Sequence, residues 1–277
     1  MESIILYSQI ILNILSVLGL FISIDFFFET KRNPFKIFSI AWSLSLISGM
    51  LSLFTEPIYN EFLMSTFRYI YAISYMTSVA FFTFAFLMYF LKIKMKFFIT
   101  LFAIISVPSA ILILLSDYEF VNSYMLIIGG FVLSSGLLFP LLKFKQFKNK
   151  FRGSIKWYFL LTFLIIFHTI LSIINRISQE FFGEIISVMI DYTFAIIVAI
   201  IIIILTIHLE YNIMQEEKNK LIDKYSHDLG NIMQTIYSSC QLMNNKETND
   251  ETLDELEKLQ SKKLREASKL IKEIRKL

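Results

Sequence analysis

An all-α membrane protein is what this sequence predicts, and three observations carry that expectation. Of its 277 residues 56% are hydrophobic and the mean hydropathy is +0.62, a composition outside the range of soluble domains. Seven apolar runs, each near the length of roughly 20 residues that a bilayer requires, fill the chain as far as residue 208. From residue 209 onward the chain turns charged and polar with a heptad rhythm. The expected fold is therefore polytopic, with seven transmembrane helices over 1–208. A cytoplasmic antiparallel helical hairpin follows over 209–277, and it dimerises into a four-helix bundle.

The spans are expected over residues 4–28, 35–55, 66–91, 97–116, 120–142, 157–175 and 185–208. The first has no basic residues before it and no small-residue cleavage site, and it is too long for a secretory leader, so it is expected to stay as a membrane helix. Lys and Arg then set the orientation, because basic loops are retained on the cytoplasmic side. Twelve basic residues fall in the odd connections: Lys31, Arg32 and Lys36; Lys92, Lys94 and Lys96; and Lys143, Lys145, Lys148, Lys150, Arg152 and Lys156. The even connections hold one, Arg176. The N-terminus is expected outside and the C-terminal region in the cytoplasm of a multi-pass cell-membrane protein. The basic inner loops suit anionic lipid, so the bilayer is the expected partner and nucleic acid is not.

The seventh span runs on without Pro or Gly through "HLEYNIMQEEKNKLIDKYSHDL", which predicts one helix leaving the bilayer. Beyond it Ile222, Tyr225, Leu229, Ile232, Ile236, Ser239 and Met243 follow one another at spacings of 3 and 4, a heptad seam. The polar stretch "NNKETND" interrupts it, and Thr248 with Glu251 can form a capping box for a second helix over about 251–277. On that helix Leu253, Leu256, Leu264, Ala267, Ile271 and Ile274 are expected on one side. A two-helix hairpin cannot bury such stripes alone, so a second copy completes a four-helix bundle.

Seam numbering puts His227 at the position furthest from the hairpin interface, with Asn231 one turn on along the same face and Asp228 beside it. A water-facing imidazole can act as a nucleophile, and a neighbouring carboxylate can orient the ring or take its proton. An exposed histidine on a charged helix also has an ordinary reading, that of a solvated surface residue.

"YSHDLGNIMQTI", Tyr225 to Ile236, resembles the histidine-containing helix of sensor histidine kinases, whose pattern S-H-[ED]-L-x-[NT] is matched by Ser226, His227, Asp228, Leu229 and Asn231. The resemblance covers the hairpin, about residues 210–277, and a hairpin placed directly after a multi-pass sensor is an arrangement that family uses. It implies a membrane sensor of two-component signal transduction. His227 would be the phosphoacceptor, Asp228 the assisting acid or base, and Asn231 a polar residue supporting phosphotransfer. The partners it implies are a second copy of the chain, the receiver domain of a response regulator, and an ATP-binding kinase domain in a C-terminal continuation or in trans. Two features depart from the family pattern. Ile232 stands where many members have proline, and no glycine follows Gly230, so the glycine-rich ATP lid is not present. No cofactor is expected in this chain, ATP and Mg entering only through that other domain, and the chain alone is not expected to be active.

Ionisable residues inside spans are costly and mark candidate sites. Arg68 near the outer end of the third span, His168 in the middle of the sixth and Asp191 about two turns into the seventh are candidates for an outward-opening ligand pocket. The bland reading, hydrogen bonding between helices and snorkelling toward the surface, applies to Arg68 and to His168. No metal site is expected: Cys240 is the sole cysteine, without ligand spacing around it, and its ordinary reading is a small buried or half-buried side chain. The seventh span has no lysine, which excludes a retinal Schiff base there. Two other readings stay open: a non-enzymatic receptor or scaffold whose hairpin binds a partner, and a transporter, against which stands the lack of inverted repeats and glycine-broken helices.

Overall fold

Small residues decide how closely apolar helices approach, and here they do so at nearly every helix pair. The computed structural model describes residues 2–55, 61–91, 118–138, 155–177, 184–244 and 250–275, with residues 96, 100, 111, 144, 147 and 148 besides. Its elements are α1 (Glu2–Thr30), α2 (Asn33–Thr55), α3 (Glu61–Leu91), α4 (Tyr118–Leu138), α5 (Ile155–Ile177), α6 (Glu184–Met243) and α7 (Asp250–Ile274). No strand occurs among the described residues. The chain divides into two compact units, Met1–Glu210 and Tyr211–Leu277, and α6 contributes to both. Five of these helices are long and apolar enough to cross a membrane, and a shorter apolar stretch, Ile127–Leu138, lies in α4. The run expected at 97–116 falls almost wholly outside the described residues.

In the first unit α1 and α2 meet through reciprocal small-for-large contacts. Gly19 receives the Trp42 indole, Gly49 receives the Asn13 amide, and the Ser16 and Ser45 hydroxyls share a hydrogen bond of 3.1 Å between them. The turn between the helices is closed by Lys31, whose φ of 55° is left-handed and whose N–H donates to Phe27 O at 2.8 Å. Pro34 follows at the start of α2, where its missing N–H costs nothing. Helix α3 packs on α2 through rings, Trp42 on Phe82 at 4.8 Å and Phe38 on Phe86 at 5.1 Å, both edge to face. The Ser78 hydroxyl donates to Ala41 O across that interface at 2.9 Å.

Helix α4 presents glycines to both its neighbours. Gly136 seats Thr83 of α3, and Gly130 seats Thr169 of α5. The Tyr158 hydroxyl of α5 donates to Leu137 O at 2.5 Å. A Cβ at position 136 would stand 1.9 Å from the Thr83 methyl. Gly136→Val is therefore expected to destabilise the helix packing by about 1–3 kcal/mol, read as a lower unfolding midpoint in detergent. Gly230 is the internal contrast, since a Cβ there meets nothing within 4 Å. Gly230→Ala is expected to stabilise its helix by roughly 0.5–1 kcal/mol through backbone entropy alone.

Buried hydroxyls along these helices bond back to their own backbone: Thr83 to Val79 O, Thr162 to Tyr158 O, Thr169 to Ile165 O and Thr206 to Ile202 O. That arrangement suits hydrocarbon, where water cannot serve the group. The outward faces carry large apolar side chains such as Ile14, Phe21, Phe131 and Phe163, each more than 60% exposed, a surface fitted to lipid tails.

In the second unit α6 and α7 pack along a seam of half-buried and buried residues. On α6 these are Tyr225, Leu229, Ile232, Ile236, Ser239 and Met243, as the spacing predicts, while Ile222 is exposed. On α7 the seam is Leu253, Leu256, Gln260, Lys263, Ala267, Leu270 and Ile274, a strict alternation of 3 and 4. Leu264 and Ile271, expected inward, are exposed instead. Each follows a seam residue by one position and so points about 100° away from the interface. A polar layer takes the place of the expected leucine: Gln260 Nε2 donates to Ser239 Oγ at 3.0 Å and lies against Cys240 Sγ and Met243 Sδ. Cys240 itself is exposed rather than buried. Thr248, the expected cap, lies outside the described residues.

Lys263 lays its stem along the seam and donates to Glu266 Oε2 at 2.7 Å, which holds the Glu266 carboxyl below its ordinary value. A lowered folded-state pKa means a contribution present above the carboxylate's unfolded value and lost as pH falls through the folded one. The hairpin is expected to lose this increment on acidification. In Glu266→Gln that part of the pH dependence should vanish, as followed by circular dichroism.

Candidate functional site

Two polar constellations stand out, one in each unit. In the hairpin, the helical repeat brings His227 and Asn231 one turn apart on α6, His227 on the side away from α7 and Asn231 turned toward one flank. The His227 side chain is 75% exposed. Asn231 Nδ2 lies 3.2 Å from His227 Nδ1, and Asp228 Oδ1 lies 3.7 Å from the same nitrogen. Both neighbours thus address Nδ1 and not Nε2.

That asymmetry has a chemical consequence. A neutral imidazole carries one proton, and the nitrogen without it is the nucleophile. As placed, Asn231 Nδ2 can donate to a bare Nδ1; with its amide turned over it presents an oxygen instead, and that orientation together with the Asp228 carboxylate favours the proton at Nδ1. The Nε2 lone pair then faces away from both neighbours. The same carboxylate would stabilise an imidazolium formed by substitution at Nε2. Thr235, a turn beyond Asn231, donates to Asn231 O at 2.9 Å.

The hairpin has two unlike flanks. One position after the seam residues on each helix come Met233, Tyr237, Leu264 and Ile271, all exposed. Because the helices run antiparallel, this offset places all four on the same flank, as an apolar stripe. On the opposite flank lies a groove of about 440 Å³ lined by Asn231, Gln234, Thr235, Ser238, Ser239, Leu242, Leu256 and Leu259. Asn231 belongs both to this groove and to the His227 cluster. Of the groove residues, Gln234, Thr235, Ser238, Leu242 and Leu259 went unmarked in the sequence, although all but Gln234 lie one position before a seam residue.

The second constellation lies among the apolar helices. His168 Nε2 of α5 is 2.8 Å from Asp191 Oδ1 of α6, with the Phe194 ring 5.0 Å from the imidazole. Tyr75 of α3 is within electrostatic reach of Asp191, and next along α6 the Tyr192 hydroxyl accepts from Gln9 Nε2 of α1 at 2.8 Å. Two of the three candidates from the sequence are thus partners. Arg68, the third, is half-buried on α3 seven residues before Tyr75. Gln9, Tyr75 and Tyr192 were not singled out in the sequence, where nothing but their polarity inside an apolar run marks them. Among the described residues no group of three or more His, Cys, Asp or Glu side chains is placed to hold a metal ion.

No protein-family profile, curated protein or solved structure matches the chain.

Proposed function

We propose that this chain is a seven-span membrane sensor, N-terminus outside, whose cytoplasmic hairpin receives a phosphoryl group on His227 and passes it to the receiver domain of a response regulator. The observation that carries the reading is the convergence of Asp228 and Asn231 on His227 Nδ1, which leaves Nε2 as the reacting atom. In the transfer Nε2 attacks the γ-phosphorus of ATP, held by a kinase domain outside these 277 residues, and ADP leaves. The new N–P bond gives an imidazolium whose Nδ1 proton rests against Asp228. Attack by a receiver aspartate then breaks that N–P bond and returns the neutral ring. Helix α6 is continuous from Glu184 to Met243 and carries both Asp191 and His227, so a change in packing around the first residue has a covalent path to the second. Small shifts of such helices are known ways of choosing between two packings.

Two surfaces support the same reading. The apolar flank of Met233, Tyr237, Leu264 and Ile271 suits a second copy, giving the four-helix bundle. The groove beside Asn231 suits a receiver domain that must reach the histidine. That groove equally favours a second reading, a scaffold that docks a cytoplasmic partner without phosphate.

One experiment separates them. The full chain in liposomes is mixed with an ATP-binding kinase domain and ATP-Mg, then assayed for acid-labile, base-stable phosphate. Labelling that disappears in His227→Ala supports the phosphoacceptor. A folded, dimeric chain that takes no label from several competent kinase domains, or from a phosphorylated receiver run in reverse, sinks it and leaves the scaffold.

A further inference from the structure

The proposed function leaves the stimulus unnamed, and the polar constellation among the apolar helices bears on it. His168 and Asp191 are the sole ion pair between described residues on two different apolar helices. The pair lies deep. Asp191 is seven residues from the start of α6 and His168 nine from the end of α5, which at 1.5 Å per residue places them about 10 and 14 Å below those helix ends. Nothing in packing alone asks for two ionisable side chains there.

The pair joins α5 to α6 beside the ring contact of Phe167 with Phe194 at 6.0 Å. Asp191 faces His168 from one side and acts electrostatically on Tyr75 of α3. Tyr192, its neighbour, is held by the uncharged amide of Gln9 on α1. Helix α4, packed against α5 through Gly130 and Thr169, has no ionisable residue over 127–138. Among the described residues, the groups named at this point that can exchange a proton are the imidazole, the carboxylate and two phenols. Of these, the imidazole is the side chain type whose ordinary titration range covers roughly pH 5–8.

We propose that the His168–Asp191 pair is a proton-operated latch, so that the stimulus acting on the sensor is the proton concentration reaching this site. With His168 protonated the two charges cancel, and the bond is a charge-assisted one joining α5 to α6. When the proton leaves His168, a neutral ring N–H at most remains on Asp191, so the carboxylate charge is no longer cancelled in a low-dielectric layer. Helix α6 then moves to give the carboxylate another partner or access to water. The latch closes when this proton is bound and opens when it leaves. The idea rests on the reading that α6 transmits the signal, but its test needs no phosphate.

The full chain carrying Cys240→Ser receives spin labels at Ile170→Cys on α5 and Ile197→Cys on α6, both exposed positions, and is placed in liposomes. The distance between the labels is followed from about pH 5.5 to about pH 8.5, spanning the histidine range. The expected result is a shift of about 1–2 Å with a single-proton midpoint. It should be flattened in His168→Gln and restored in the exchange of His168→Asp with Asp191→His, which also shows that the altered chains fold. A distance that does not change with pH in the parent chain overturns the latch, as does an unchanged midpoint in His168→Gln. Either failure leaves the His227 assignment standing, because that assignment is read by phosphate labelling alone.

Discussion

Asp228→Asn is expected to slow phosphoryl transfer onto His227 by roughly 10²-fold, the lower end of what one positioned acid–base group contributes. The asparagine keeps the size and polarity of the side chain at 3.7 Å from Nδ1 but removes its charge. The imidazolium formed on transfer then loses the carboxylate that stabilises it, and the neutral ring loses an anion that keeps its proton on Nδ1. Asn231→Ala is expected to act differently. Its amide lies 3.2 Å from the same nitrogen but carries no charge, so the forward rate should fall by less, about tenfold. Asn231 also lines the groove, so its removal should weaken capture of the receiver domain and slow the second transfer more than the first. The check is a single-turnover time course of labelling and of label transfer for each variant, with circular dichroism to show that the helix persists. Equal losses in both steps for both variants would argue that the two side chains act only through the fold of the helix.

The hairpin cluster was legible in the sequence because every distance in it is local. Residues i, i+1 and i+4 on one helix are neighbours by geometry alone, and the seam register decides which way they face. The pair at His168 and Asp191 was legible only as two separate costly residues. They stand 23 residues apart on different helices, and their meeting depends on how α5 and α6 pack. The contact of Gln9 with Tyr192 spans 183 residues and leaves no local trace.

The inward face of α7 was misread for a related reason. Apolarity alone favoured Leu264 and Ile271, whereas the 3 and 4 spacing counted from Leu253 selects Gln260, Lys263 and Leu270. A lysine stem covers apolar surface as well as many aliphatic side chains do. A glutamine facing a serine satisfies itself where leucine would leave that serine's hydroxyl without its cross-helix partner. Period was the stronger guide here than hydrophobicity.

The two leucine-type residues displaced from the seam are what make the second large prediction. Leu264 and Ile271 join Met233 and Tyr237 in a stripe that a lone hairpin leaves in water. Burying a side chain of this size contributes about 1.5–3 kcal/mol, and a symmetric pairing buries each residue twice. Tyr237→Lys with Leu264→Lys is therefore expected to weaken self-association of the full chain by more than about 100-fold, since like charges would face each other across the two-fold axis. Neither position lies in the seam between α6 and α7 or beside His227, so helicity and the accessibility of His227 should survive. Sedimentation or single-molecule photobleaching in liposomes gives the first readout, and labelling by an added kinase domain gives the second. Loss of dimer with labelling retained would mean that the kinase domain reaches the histidine on the hairpin it visits. Loss of both would mean that the phosphoacceptor helix is presented correctly only inside the bundle. A double variant that still dimerises with unchanged affinity would move the interface to the opposite flank, where it would cover the groove and Asn231, and the receiver domain would then have to approach His227 from the outer face.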